Sequence, residues 1–157
     1  MPVIESKIDV NSDSYRANRE EMLRLIDEDT EAFNRLMASF GLPKSSDAEK
    51  AARSAAIQEA TRGATEVPLR CMRVALESLT VARAMAEIGL PASVSDAGVA
   101  ALCARAAVHG AYLNVRINAG NLKDAAYVKE TLSEAEKMIR AVDAQEREIL
   151  EIVTSKL

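Results

Sequence analysis

A chain of 157 residues with a net charge of −4, in which 20 basic and 24 acidic side chains are interspersed, is one domain by size and carries no basic stripe for nucleic acid. No apolar run approaches the roughly 18 residues that a membrane span needs. The N-terminus lacks the charged-then-apolar order of a signal peptide, so the expected compartment is the cytoplasm. The apolar content is built from Ala, Leu, Ile, Val and Met with no Trp, which favours helices packed on helices over a sheet.

Residues 1–12 are short on helix formers and contain Pro2; they are expected to be extended or poorly ordered. A first helix is predicted from Asp13 or Ser14 to Phe40, with Met22, Ile26, Phe33, Met37 and Phe40 on one stripe, ended by Gly41 and Pro43. Asp29 falls on that stripe and Asp27 along its edge. Both are read either as charges at the margin of a core or as carboxylates lining a cleft. Ser46 and Glu49 form a capping box that starts an alanine-rich helix. Pro68 should kink that helix without stopping it, because apolar periodicity resumes through Leu69, Met72, Leu76 and Leu79 as far as Gly89 and Pro91.

The stretch Ser93–Asn118 is the predicted centre of the fold. Ser93 with Asp96 reads as a capping-box-like start. Val99, Leu102, Ala106, Leu113 and Ile117 recur at helical spacing beside a small-residue stripe of Ala100, Ala104, Ala107, Ala111 and Asn114. So much apolar circumference predicts burial among other helices. A final helix from about Lys123 to near Ser155 carries a coiled-coil-like seam of Val128, Leu132, Ala135, Ile139, Val142, Ile149 and Val153, with Glu146 interrupting it. That seam needs a partner helix, from this chain or from a second copy. The expected architecture is a single all-α domain over 1–157, an elongated antiparallel helical bundle that dimerises.

Inventory removes several chemistries. The six glycines are scattered, so there is no glycine-rich phosphate loop. One histidine, His109, and two distant cysteines do not make a usual zinc site, and no metal ligands are assigned. Cys71 and Cys103 read as buried reduced thiols.

Six blocks in order, LIDEDTEAFN (25–34), LPK (42–44), EKAARSAAIQEAT (49–61), EVPL (66–69), VSDAGVAAL (94–102) and GAYLNVRIN (110–118), resemble the cyclodeaminase/cyclohydrolase family. It comprises the C-terminal cyclodeaminase domain of formimidoyltransferase-cyclodeaminase and the bacterial methenyltetrahydrofolate cyclohydrolases. The resemblance implies an all-α dimer acting on a tetrahydrofolate derivative, with no tightly bound cofactor. The reaction would be hydrolysis of 5,10-methenyltetrahydrofolate to 10-formyltetrahydrofolate, or deamination of 5-formiminotetrahydrofolate to the methenyl form. Family members usually begin with a further helical portion bearing a proline, several glycines and a serine. This sequence has no such segment, so it is expected to keep the fold, with catalysis open. The alternative is a non-catalytic helical dimerisation or interaction protein.

Both reactions need a carboxyl group near a cationic one-carbon unit, to meet the charge and to move a proton. Asp96 is the catalytic candidate, Asn114, Asn118 and Arg116 are candidate substrate-binding groups, and Asp27 and Asp29 are possible cleft carboxylates. Asn114 and Asn118 share a helix face, and Arg116 points about 160° away from each of them. Asp96 and Asn114 are about 27 Å apart along an ideal helix. They would therefore serve opposite ends of an extended folate, or be brought together by a dimer.

Overall fold

The computed structural model describes residues 13–157; the expectation for residues 1–12 lies outside them. Four helices follow in order: α1 (Asp13–Phe40), α2 (Asp47–Ile88), α3 (Val94–Ala119) and α4 (Ala125–Ser155), with a 3-10 turn at Pro91–Ser93. No strand occurs among the described residues, so the all-α antiparallel architecture is the one observed.

Local chemistry sets most of the boundaries. The Ser46 hydroxyl accepts from Glu49 N at 3.2 Å, and the Glu49 carboxylate accepts from the backbone N–H groups of Ser46 and Ser45 at 2.9 and 2.8 Å. These N–H groups hold the Glu49 carboxyl below its ordinary pKa. Asp124 caps α4 by accepting from Tyr127 N at 3.0 Å. Ser93 behaves differently from the sequence expectation. Its side chain makes no capping bond, and its own N–H closes the preceding 3-10 turn onto Leu90 O at 2.9 Å. At the far end of α2, Lys156 donates to the Ala86 and Glu87 carbonyls, both at 2.7 Å, supplying the positive charge that the last turn of α2 lacks.

The long helix α2 contacts each of the other three, α3 also packs on α4, and α1 rests on α2 alone among the described residues. The core lies between α2, α3 and α4, around Met72, Leu79, Val108, Val115, Val142 and Ile149. The α4 seam is therefore covered from within the chain, since Ala135, Val142, Ile149 and Val153 are buried against α2 and α3. Two predicted core stripes face the other way. On α3 the buried face is neither of the two stripes expected but a third, Ala97, Ala101, Ala104, Val108, Val115 and Ala119; Val99, Leu102, Leu113 and Ile117 are exposed, as are Ala100, Ala107 and Asn114. Small side chains let α2 and α3 approach closely, and a helix has only one face to give to that contact. On α1, Ala32 and Ser39 are buried, whereas Ile26, Phe33, Met37 and Phe40 are exposed. Cys103, expected to be buried, lies on the exposed apolar face of α3, and Cys71 is half-buried.

Pro68 sits inside α2 without ending it. A proline has no N–H for the carbonyl four residues earlier, here Ala64. That carbonyl accepts instead from the Asn118 side-chain amide at 2.8 Å. One turn away, the buried hydroxyls of Thr61 and Thr65 bond to the Ile57 and Thr61 carbonyls of their own helix at 2.7 and 2.8 Å. Gln58 then clamps the α3–α4 connection, donating to Asn121 O at 3.0 Å and accepting from Lys123 N at 2.7 Å.

On the opposite flank, Asp143 of α4 accepts from Arg105 Nε at 2.7 Å and pairs with His109 Nε2 at 2.8 Å. These two partners, His109 first, hold its carboxyl below the ordinary range. A depressed carboxyl contributes stability above its unfolded pKa and loses it as pH falls through the folded value. Acid titration of Asp143→Asn should therefore show a smaller loss of stability below about pH 4 than the parent, the difference staying under about 1 kcal/mol for so exposed a group. Asn118→Ala should cost about 1–2 kcal/mol by leaving the Ala64 carbonyl without a donor. In a Pro68→Ala background, where residue 68 regains its N–H, the same change should cost clearly less; additive costs in chemical denaturation would break this account.

Candidate functional site

The acidic run Asp27, Glu28, Asp29 is divided by the way α1 sits on α2. Successive helical residues point about 100° apart, and Ala32 and Ser39 hold one ridge of α1 down. Glu28 is thereby turned to one flank of α1, Asp29 to the other, and Asp27 outward into solvent.

The Glu28 flank opens on a cavity of about 690 Å³ between α1, α2 and the start of α4. Its charges neutralise one another. Glu28 pairs with Arg70, Arg73 Nε meets Glu134 at 2.7 Å, and Arg62 lies 4.0 Å over the Tyr127 ring, whose hydroxyl donates to Glu66 at 3.3 Å. The Glu134 hydrogen bond pushes the Arg73 guanidinium pKa up, and burial pushes the Tyr127 phenol up. Arg70 Nε is buried without an acceptor among the described residues.

The Asp29 flank is different in kind. A cavity of about 520 Å³ lies between α1 and α2, with Ala107 of α3 at its side. Ile26, Val74 and Ala75 form apolar wall, Thr30, Ser78 and Cys71 add small polar groups, and Asp29 is the one charged side chain lining it. The Thr30 hydroxyl is turned to its own helix, donating to Ile26 O at 3.0 Å. Burial, and then the Asp29 charge, raise the Cys71 pKa, which keeps that thiol protonated. A carboxylate at such a wall can pair with a cation or orient a water.

The α3 candidates are spread along one edge of that helix. Ala107, Asn114 and Asn118 share the edge that faces the Asp29 flank, with exposed Asn114 about 10 Å beyond Ala107 along α3. Asn118 is half-buried and its amide is held by Ala64 O. Asp96 is exposed in the first turn of α3, about 16 Å from Ala107 in the other direction. Arg116 points to the α4 side, its guanidinium 5.7 Å from the Tyr112 ring centroid. The fold thus brings Asp29 and the asparagine edge onto one flank and leaves Arg116 on another. Of the cleft residues, Val74 and Ser78 were not singled out from sequence, and Cys71 and Ala107 were read there only as packing residues. Their only signal was small or short side chains in an apolar register. No cluster of three or more His, Cys, Asp or Glu side chains able to hold a metal occurs among the described residues.

Known proteins share this arrangement of helices. The formiminotransferase-cyclodeaminase family model matches residues 3–137. The chain is 45% identical over 139 residues to the methenyltetrahydrofolate cyclohydrolase of Methylorubrum extorquens, which covers 88% of this chain and 67% of that protein. It is 28% identical over 131 residues to formimidoyltransferase-cyclodeaminase of Rattus norvegicus, covering 83% of this chain and about a quarter, 24%, of the rat protein. The crystal structure of formiminotetrahydrofolate cyclodeaminase from Thermotoga maritima superposes with a TM-score of 0.75 at 25% identity, over 90% of this chain and 67% of that one. Helix order, the six sequence blocks and these matches agree: the chain belongs to the formiminotransferase-cyclodeaminase family.

Proposed function

We propose that this protein interconverts one-carbon adducts of tetrahydrofolate, as a methenyltetrahydrofolate cyclohydrolase or a formiminotetrahydrofolate cyclodeaminase, without a tightly bound cofactor. The observation that carries the reading, beside family membership, is the single carboxylate of Asp29 in a cleft whose other lining groups are uncharged. A cationic methenyl bridge between two ring nitrogens fits such a wall, because exposed Asp29 is the one charge there to meet it and a ring seated on Ile26 and Val74 would itself displace water from around the carboxylate. In hydrolysis Asp29 accepts a proton from water as its oxygen adds to the bridging carbon. The bond from that carbon to N5 then breaks, the proton passes from Asp29 to N5, and the new hydroxyl releases its remaining proton to solvent as it becomes the formyl carbonyl on N10. In deamination N10 attacks the formimino carbon and the same carboxyl returns a proton to the departing ammonia. Asn114 supplies donor and acceptor groups to the pterin edge. Asp96 meets the far end of an extended ligand, and Arg116 lies on the wrong flank to join them in one subunit.

The same reading includes a homodimer. Exposed Ile26 and Val74 line the Asp29 cleft and belong to apolar stripes that continue through Phe33 and Met37 on α1, Val81 and Met85 on α2, and Val99, Leu113 and Ile117 on α3. Gly110 lies at the centre of the α3 stripe, where a Cβ would meet nothing within 4 Å. A mid-helix glycine costs about 1 kcal/mol relative to alanine, and nothing in its own subunit requires this one. A second helix approaching closely does.

Asp29→Asn should lower kcat/KM for methenyltetrahydrofolate hydrolysis, or for ammonia release, by about a hundredfold or more with unchanged helicity. Full activity would dismiss Asp29, and inactivity of the parent in both assays would favour the interaction-protein alternative. Asp96→Asn should change KM more than kcat. Asn114→Ala should weaken folate binding without the stability loss expected of Asn118→Ala. Leu113→Lys with Ile117→Lys should shift the mass in light scattering from dimer to monomer; a parent that is already monomeric at micromolar concentration would exclude the dimer.

A further inference from the structure

The LPK block at 42–44 plays no part in the cleft chemistry, yet it ends at a concentration of positive charge that the net charge of −4 does not lead one to expect. Lys44 follows α1, Lys50 and Arg53 lie in the first two turns of α2, and Lys123 precedes α4. All four line one cavity of about 370 Å³, together with Ser54 and Gln58, and no carboxylate lines it.

The cations are held there largely by neutral oxygens. Arg53 donates to the Phe40 carbonyl from Nε at 3.4 Å and Nη2 at 3.1 Å, and Lys123 Nζ donates to Ser54 Oγ at 3.0 Å. Gln58, bonded to Asn121 O and Lys123 N, fixes the loop that carries Lys123. Only Lys50 has an acidic partner, Asp47 at 2.9 Å. Lys44 has no ion-pair partner among the described residues. Glu49, the other nearby carboxylate, is turned to the Ser45 and Ser46 backbone. An elbow and a loop distant in sequence are thus locked together in a way that aligns four like charges. Their mutual repulsion is a cost that an anion in the cavity would remove.

We propose that this cavity binds a polyvalent oxyanion, one carrying two or more carboxylate or phosphate groups. Three surrounding ammonium groups and a guanidinium fork can meet such a ligand from several sides. At the start of α2 the Glu49 N–H is taken by the Ser46 hydroxyl and the Ser45 and Ser46 N–H groups by the Glu49 carboxylate, so the proposal rests on the four side chains. The cavity is separated from the Asp29 cleft by about 30 Å of α2, so the inference does not depend on the folate reading.

The test is an amide NMR titration of the whole chain with pyrophosphate and with tricarballylate, with chloride at matched ionic strength as reference. Saturable shifts centred on Lys44, Lys50, Arg53 and Lys123 are expected. Raising salt from about 50 to 300 mM should weaken them about tenfold. Lys44→Gln, which removes no structural contact, should weaken binding about threefold, and Lys44→Gln with Lys50→Gln about tenfold, with unchanged melting curves. Stronger binding of the tricarboxylate would assign the site to an acidic organic chain, and stronger binding of pyrophosphate to a phosphorylated metabolite. Absence of saturable shifts, shifts reproduced by chloride, or equal affinity in the double variant would each overturn the proposal.

Discussion

One hydrogen bond, from Asn118 of α3 to the Ala64 carbonyl of α2, reconciles a proline with a 42-residue helix. Helix α2 is the only one of the four described α-helices that contacts the other three, so a break at Pro68 would separate the support of α1 from the core. The orphan carbonyl is answered from across the α2/α3 interface. That requires the helices to lie close enough for a short side chain to reach, and Ala97, Ala101 and Ala104 make this approach possible farther along α3. Close packing at α3 has a second effect. Once the small face is buried, the large residues on the opposite side have no neighbour in the chain. The exposed Leu113 and Ile117 are therefore a consequence of the same contact that buries Val108 and Val115.

Much of this was legible in the residues. The capping box at Ser46 and Glu49 and the ends at Phe40 and Ile88 follow from local chemistry that tertiary packing does not alter, whereas the passage through Pro68 showed in the resumed periodicity but its support from Asn118 did not. The direction of each helix face was not legible. Hydrophobic periodicity identifies a stripe but not its neighbour, and on α1 and α3 the stripe of large residues was taken for the core side. The small-residue stripe read on α3 was misplaced as well: of Ala100, Ala104, Ala107, Ala111 and Asn114 only Ala104 is buried, and the core face lies about 70° round the helix at Ala97, Ala101 and Val108. Ser93 shows the same limit on a smaller scale, because the 3-10 turn at Pro91 absorbs its N–H and changes its backbone geometry.

The candidate site was legible only in part. The three acidic residues at 27–29 could be named from sequence, but their separate roles depend on which ridge of α1 meets α2. Ala32 and Ser39 decide that, and they give Glu28 an arginine partner while leaving Asp29 alone in an uncharged wall. Asn118 was a candidate ligand group whose amide turns out to be engaged by the backbone. Asn114, four residues earlier, is on the same edge and is exposed. In the proposed homodimer, the apolar stripes that reach the Asp29 cleft through Ile26 and Val74 would link recognition of a second copy to the shape of the site. A subunit seated there would narrow the cleft and exclude water from it, strengthening the one fixed charge.

The most direct measurement is a crystal structure of the protein with a stable reduced folate such as 5-formyltetrahydrofolate. The account predicts the pterin between α1 and α2 on the Ala107 flank, with its one-carbon substituent within about 3.5 Å of an Asp29 carboxylate oxygen and its ring edge toward Asn114. A pterin seated instead among Glu28, Arg70 and Tyr127, or in contact with Asp96 alone, would contradict it.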